Sequence, residues 1–136
     1  MITVTSDMLT HVKHIDEQHR ELFNRINAVE SLETAAVTEK EIEKTLDFLG
    51  SYIVKHFEEE ETLQKESGYP KHKWHREMHS WYVAEYRKLR AEYTANGFSD
   101  EFSHLLNESI MNWFVRHVKH VDVELGRFIL GEQLPK

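Results

Sequence analysis

Two residues on one face of a long amphipathic stretch do not belong to an ordinary core. The stretch places Ile42, Leu46, Leu49, Ile53, His56, Glu60 and Leu63 at alternating intervals of 4 and 3 residues, the seam of a packed helix. Five of these positions are aliphatic; His56 and Glu60 stand one turn apart among them. An imidazole and a carboxylate in a seam are costly to bury unless something satisfies them. A metal ion held by nitrogen and oxygen would do so. The same anomaly recurs in three other stretches. His19 interrupts the stripe Ile15, Leu22, Ile26, Val29; His75 and His79 head the seam Tyr82, Tyr86, Leu89, Tyr93; His117 lies among Trp113, Phe114, Val118 and Val121. A single histidine on an apolar face is ordinarily a satisfied core residue. Five at one level, with carboxylates, would leave several buried groups unpaired, at a few kcal/mol each.

The elements that must position these residues are four helices. Helix A starts between Met8 and Lys13 and runs to about Leu32. Helix B follows the capping box Thr38-Glu39-Lys40-Glu41 and runs from Glu39 to about Glu66, where Ser67-Gly68-Tyr69-Pro70 stops it. Helix C spans about Lys71 to Ala95 and ends at Asn96-Gly97; helix D runs from about Asp100 to Phe128 or Leu130. No stretch alternates with period two for long, so no sheet is expected. The fold class is therefore all-α, an antiparallel up-down-up-down four-helix bundle with a short N-terminal arm. In that arrangement His19 is early in A, Glu60 late in B, His75 and His79 early in C, and His117 late in D, so all fall at one end.

Bulk composition narrows the classes. A chain of 136 residues suits one domain, with an arm at 1–12, the bundle at 13–130 and a tail at 131–136. Cysteine is absent, which excludes disulfides and thiolate ligands. The net charge of -7 and the scatter of basic residues argue against nucleic acid. No apolar run is long enough for a membrane and no charged-then-apolar leader is seen; a monomer in the cytoplasm is expected. The ten histidines are dispersed, so they are not a tag.

Five imidazoles and two carboxylates, one from B and one from D, are too many for one ion. Two bridging carboxylates and a solvent bridge would give one ion six ligands and the other five, leaving one position open for a small molecule. On D, helical spacing from His117 favours Glu124 over Asp122, which lies about 140° round the helix.

The motifs Ile15-Asp16-Glu17-Gln18-His19, His56-Phe57-Glu58-Glu59-Glu60-Glu61, Gly68-Tyr69-Pro70 with His75-x-x-x-His79, and Trp113-x-x-x-His117-x-x-x-x-Asp122 resemble the hemerythrins, most of all the free-standing bacterial ones, over about residues 8 to 130. The resemblance implies two iron ions (Fe2+/Fe3+) with a bridging oxo or hydroxo group. His75, His79 and His117 would hold one iron, His19 and His56 the other, with Glu60 and Asp122 bridging. Dioxygen, the implied partner, would bind reversibly at the iron held by His19 and His56. Leu22, Phe57, Trp113, Phe114 and Val118 would form an apolar oxygen pocket, a role that plain core packing does not exclude. The chain departs from the bacterial pattern in having no aromatic residue in its arm, which implies a looser cover and faster autoxidation.

The other side chains have plainer readings. His11, His14, His72, His104 and His120 read as solvated or boundary histidines, although His72, three before His75, and His120, three after His117, are also placed to back a ligand or line an entry; Glu58, Glu59 and Glu61 read as a solvated face. Glu101-x-x-His104 matches the element of ferritin-like di-iron proteins but occurs once where two are needed. Among functions, reversible oxygen binding for storage, delivery or scavenging leads, and no enzyme activity beyond a weak peroxidase type is expected. Imidazole-rich ligation favours it over the alternative of a di-iron enzyme reducing peroxide or nitric oxide. An oxygen or redox sensor lacks an output segment here, and zinc or storage chemistry suits the same ligands.

Overall fold

The computed structural model describes residues 2–131. Four helices make up the bundle: α1 (Lys13–Glu30), α2 (Glu39–Ser67), α3 (His72–Asn96) and α4, a continuous rod of five helical stretches from Asp100–His104 to Val123–Ile129. Consecutive helices pack along one another and α1 closes against α4. No strand occurs among the described residues. Beyond Gly131, the expected tail lies outside them. No helix of the described residues is long and apolar enough to cross a membrane.

The helix boundaries follow local chemistry. The Thr38 hydroxyl accepts the Glu41 N–H at 3.2 Å, and Ser99 does the same for Phe102 at 3.0 Å. At the end of α2, Gly68 takes φ 71°, in the left-handed region, and the Tyr69 N–H donates to the Gln64 carbonyl at 2.9 Å. α1 is shorter than its stripe predicts. It stops at Glu30, and a 3-10 turn at Ser31–Thr34 carries Leu32 into the core.

α4 is not uniformly α-helical. Two wider turns of π type, Leu105–Asn112 and Val118–Asp122, are set between its α-helical stretches.

The interior has three parts. One end is apolar: Ile26, Leu46, Leu49, Leu89, Phe102, Leu106 and Ile110 are buried there in one cluster. The opposite end is shut by a smaller cluster of Ile15, Tyr69 and Leu125, with Leu63 and Phe128 against it. Nine buried polar residues lie between: His19, His56, Glu60, His75, His79, His117 and Asp122, with Gln18 and Gln64 beside them.

Candidate metal centre

All five histidines project from their helices with Nε2 toward the same two carboxylates. Glu60 Oε1 lies 3.0 Å from His75 Nε2 and 3.3 Å from His79 Nε2. Its other oxygen, Oε2, lies 3.2 Å from His56 Nε2 and 3.8 Å from His19 Nε2. Asp122 divides in the same way: Oδ1 is 2.9 Å from His75 and 3.1 Å from His117, while Oδ2 is 2.9 Å from His19. Two overlapping groups result, one of Glu60, His75, His79, His117 and Asp122, the other of His19, His56, Glu60 and Asp122. Within each, the ligand atoms lie within 4.8 Å of one another. The carboxylates are the shared members, one oxygen to each group.

The chemistry of the donor set fits a pair of cations. Both oxygens of Glu60 and of Asp122, and Nε2 of His19, His56 and His79, are buried without a hydrogen-bond partner. So much unsatisfied polarity in a dry interior is unstable unless positive charge fills it. Protonation equilibria point the same way. Burial opposes the carboxylate of Glu60, but the histidines His19, His56, His75 and His79 outweigh it and hold the group well below its ordinary range. Burial likewise opposes the charged imidazole of His19, yet Asp122 and Glu60 raise it to about 9. His75 is raised to about 10 against the same penalty. Only His117 goes down, because burial there exceeds the pull of Asp122. The pocket is built to hold positive charge, and neutral imidazoles with oxygen ligands suit iron as well as zinc.

Asp122 owes its place to the wide turn Val118–Asp122. In such a turn the backbone bonds run from i to i+5, so residues five apart share a face, and His117 and Asp122 meet. Glu124, favoured by α-helical spacing, instead forms an ion pair with Lys71. A second correction concerns α2. After Glu60 the fully buried position is Gln64, while Leu63 is half-buried.

Several residues read as solvated belong to the surroundings of the site. His56 Nδ1 donates to Gln18 Oε1 at 2.8 Å, and the Gln18 amide nitrogen donates in turn to Glu59. Glu61 Oε2 stands 3.7 Å from His79 Nδ1, with its side chain four-fifths buried. His72 Nδ1 lies 3.1 Å from the Gln64 amide. Gln64 was findable, being one turn past Glu60 on the seam; so was Gln18, three past Ile15 and four before Leu22 on the buried face of α1. His11, His14, His104 and His120 are exposed, in line with their plain reading.

Of the expected oxygen-pocket residues, Leu22, Phe57, Phe114 and Val118 are buried. Phe57 lies flat on His79, with centroids 3.8 Å apart, and Phe114 meets His19 edge-on at 5.9 Å. Trp113 is half-buried and stacks on His117 at 4.7 Å, the three-histidine side. The expectation of a loose arm is not met. Met8 and Thr10 are buried, Ile2 exchanges backbone hydrogen bonds with the Asn27 side chain at 2.7 and 2.9 Å, and the Asp16 carboxylate accepts the N–H groups of Thr10 and His11 at 2.9 and 3.1 Å. The arm crosses α4 at Gly126, where a Cβ would stand 2.5 Å from the Thr10 carbonyl oxygen. The docked arm removes the ground for expecting faster autoxidation.

Comparison with known proteins gives concordant matches. The family described as hemerythrin HHE cation binding domain matches residues 10–129. A bacteriohemerythrin of Methylococcus capsulatus is 30% identical over 127 residues, covering 93% of this chain and 94% of that protein. A myohemerythrin of Sipunculus nudus is 26% identical over 109 residues, covering 79% and 77%. A crystal structure of wild-type hemerythrin superposes with a TM-score of 0.77 at 28% identity, covering 95% of this chain and 98% of that one.

Proposed function

The chain belongs to the hemerythrin family, and from that premise we propose that it binds dioxygen reversibly at two iron ions, one held by His75, His79 and His117, the other by His19 and His56, with Glu60 and Asp122 bridging them. When bound, the iron pair supplies the two electrons that dioxygen takes on and gives back. The observation that carries the assignment is the division of each carboxylate, one oxygen toward each histidine group.

The residues of the chain have separate tasks. The five imidazoles orient their Nε2 lone pairs inward and add no negative charge. Glu60 and Asp122 supply two negative charges and fix the separation of the two positions. The group containing His19 and His56 has one histidine fewer, so the vacant position falls there, next to Phe114. The apolar side chains Leu22, Phe57, Phe114 and Val118 keep water and protons from that position. Trp113 braces His117 by stacking and is the one pocket candidate that supports the other side. The match over residues 10–129 supports a single domain. Its exposed large apolar side chains are Phe48 and Val54 on α2, Trp74 and Trp81 on α3, and Leu130 just past α4; their spread over three elements supports a monomer.

The test is metal analysis with the visible absorption spectrum of the protein, reduced without oxygen and then exposed to air. Two irons per chain and a band that appears in air and fades under vacuum are expected. Zinc, or less than one iron per chain, would overturn the assignment. Rapid turnover of peroxide would replace carrier by enzyme.

A further inference from the structure

Gln64 is fully buried on α2, where an aliphatic residue would fit the seam without any polar group to satisfy. Its amide is wedged between two imidazoles. The amide nitrogen lies 2.8 Å from Nδ1 of His75, and the amide oxygen 3.1 Å from Nδ1 of His72. His75 turns its other nitrogen the opposite way, to within 2.9–3.1 Å of Asp122, Glu60 and His117. Nε2 is therefore the edge of His75 that meets an ion.

A nitrogen that gives its lone pair to a cation carries no proton, so a neutral His75 bound through Nε2 keeps its proton on Nδ1. That Nδ1–H needs an acceptor, and the group within reach is the Gln64 amide. An amide accepts only through its oxygen. Half a turn of the amide about its last side-chain bond exchanges oxygen and nitrogen and moves nothing else. The nitrogen then faces His72, whose Nδ1 must accept and whose proton must sit on Nε2. His72 is half-buried at the rim of the bundle. A similar relay serves the other iron position, from His56 through Gln18, but it ends on the Glu59 carboxylate.

We propose that Gln64 is a positioning residue of the iron site: its amide oxygen fixes the Nδ1–H form and the ring orientation of His75, and its amide nitrogen anchors that arrangement on His72, held as the Nε2–H form. The inference rests on the metal assignment above. The two iron positions thus differ beyond their ligand count. One is backed through an amide by a carboxylate; the other is backed through an amide by an imidazole ring.

The test uses the full chain loaded with zinc, a diamagnetic ion that imidazole binds well. Long-range proton–nitrogen correlation on isotope-labelled protein reads which ring nitrogen of each histidine carries the proton. The expected result is a slowly exchanging proton on Nδ1 of His75 and a proton on Nε2 of His72. Gln64→Leu, close in size, is expected to lose the fixed form of His72 and to lower iron(II) affinity by roughly 10–100-fold. Gln64→Glu keeps an acceptor for His75, so affinity should recover most of that loss while His72 switches to the Nδ1–H form. Mere packing would rank the variants the other way, with Leu harmless and Glu damaging. A proton on Nδ1 of His72 in the unaltered zinc-loaded chain would overturn the proposal without recourse to any variant. Failure of zinc to bind at all would remove the metal assignment, and this proposal with it, and is told apart by metal analysis alone.

Discussion

The apolar end of the bundle and its metal-binding middle are made from the same four helices by opposite means. Around Leu46, Leu49, Leu89, Phe102 and Ile110, burial stabilises by itself, at roughly 25 cal/mol per Å² of apolar surface. In the middle, two buried carboxylates face five imidazoles, and the arrangement is favourable only when positive charge, as protons or metal, occupies it. The apolar end folds the chain; the middle is held in shape by it. A site of this kind can be changed without unfolding the protein, and the scaffold can be weakened without changing the site.

The sharpest way to separate the two regions is to remove the shared ligand. Glu60→Ala should abolish binding of both irons, since Glu60 belongs to both groups, while the helical circular dichroism signal persists. Metal analysis gives the answer, and retention of both irons would break the comparison. The converse change is Leu49→Ala, at a fully buried position of the apolar end. It should cost about 2–5 kcal/mol in chemical denaturation and leave the oxygenated spectrum unaltered. A shifted spectrum would show that the two regions are coupled.

The acid and alkaline limits of the metal-free protein follow from the middle alone. His19 and His75, raised from 6.5 to about 9 and about 10, contribute stability that is complete below pH 6.5. It is lost as the pH rises through those folded values. Glu60 and Asp122, held well below 4.5 and 3.8, contribute above those values and cease to as the pH falls through their depressed ones. Denaturation of the metal-free chain should therefore show a loss of stability between about pH 7 and 10. Bound metal replaces the protons, so the loaded protein should not show this loss; equal alkaline slopes for the two forms would count against it. The smallest effect is expected at the lid. Gly126→Val pushes a side chain into Thr10 and should cost roughly 1–3 kcal/mol, with faster autoxidation as the arm lifts. An unchanged autoxidation rate would mean that the arm does not guard the site.

The legible and illegible parts of this molecule divide by physical cause. The four helices and six of the seven clustered side chains could be read because His19, His56, Glu60, His75, His79 and His117 interrupt apolar stripes of α-helical period. Asp122 could not be read by that period, because the turn holding it is wider than an α-helix, and only the resemblance of the whole motif pointed to it. Glu61, largely buried beside His79, was misread because flanking acids look alike in sequence whether they meet water or the back of a clustered histidine; Glu59 is exposed, as its solvated reading has it. Gln64 and Leu63 compete for one buried position, and hydrophobicity alone chooses the wrong one. The arm lacks the aromatic residue expected of bacterial relatives, yet Asp16, Asn27 and Gly126 tie it down through contacts that no local pattern announces.

The two wide turns of α4 also act on the chain as counting devices. Each adds a residue to a turn of helix, so everything downstream is swung about 100° from where an unbroken α-helix would present it. Asp122 and, one turn later, Leu125, which belongs to the cluster that shuts the far end, both inherit that offset. Deleting one residue from the Val118–Asp122 turn would remove its offset and misdirect both at once. The carboxylate shared by the two histidine groups and the plug beneath it are thus cut on the same key, and neither can drift in evolution unless the other moves with it.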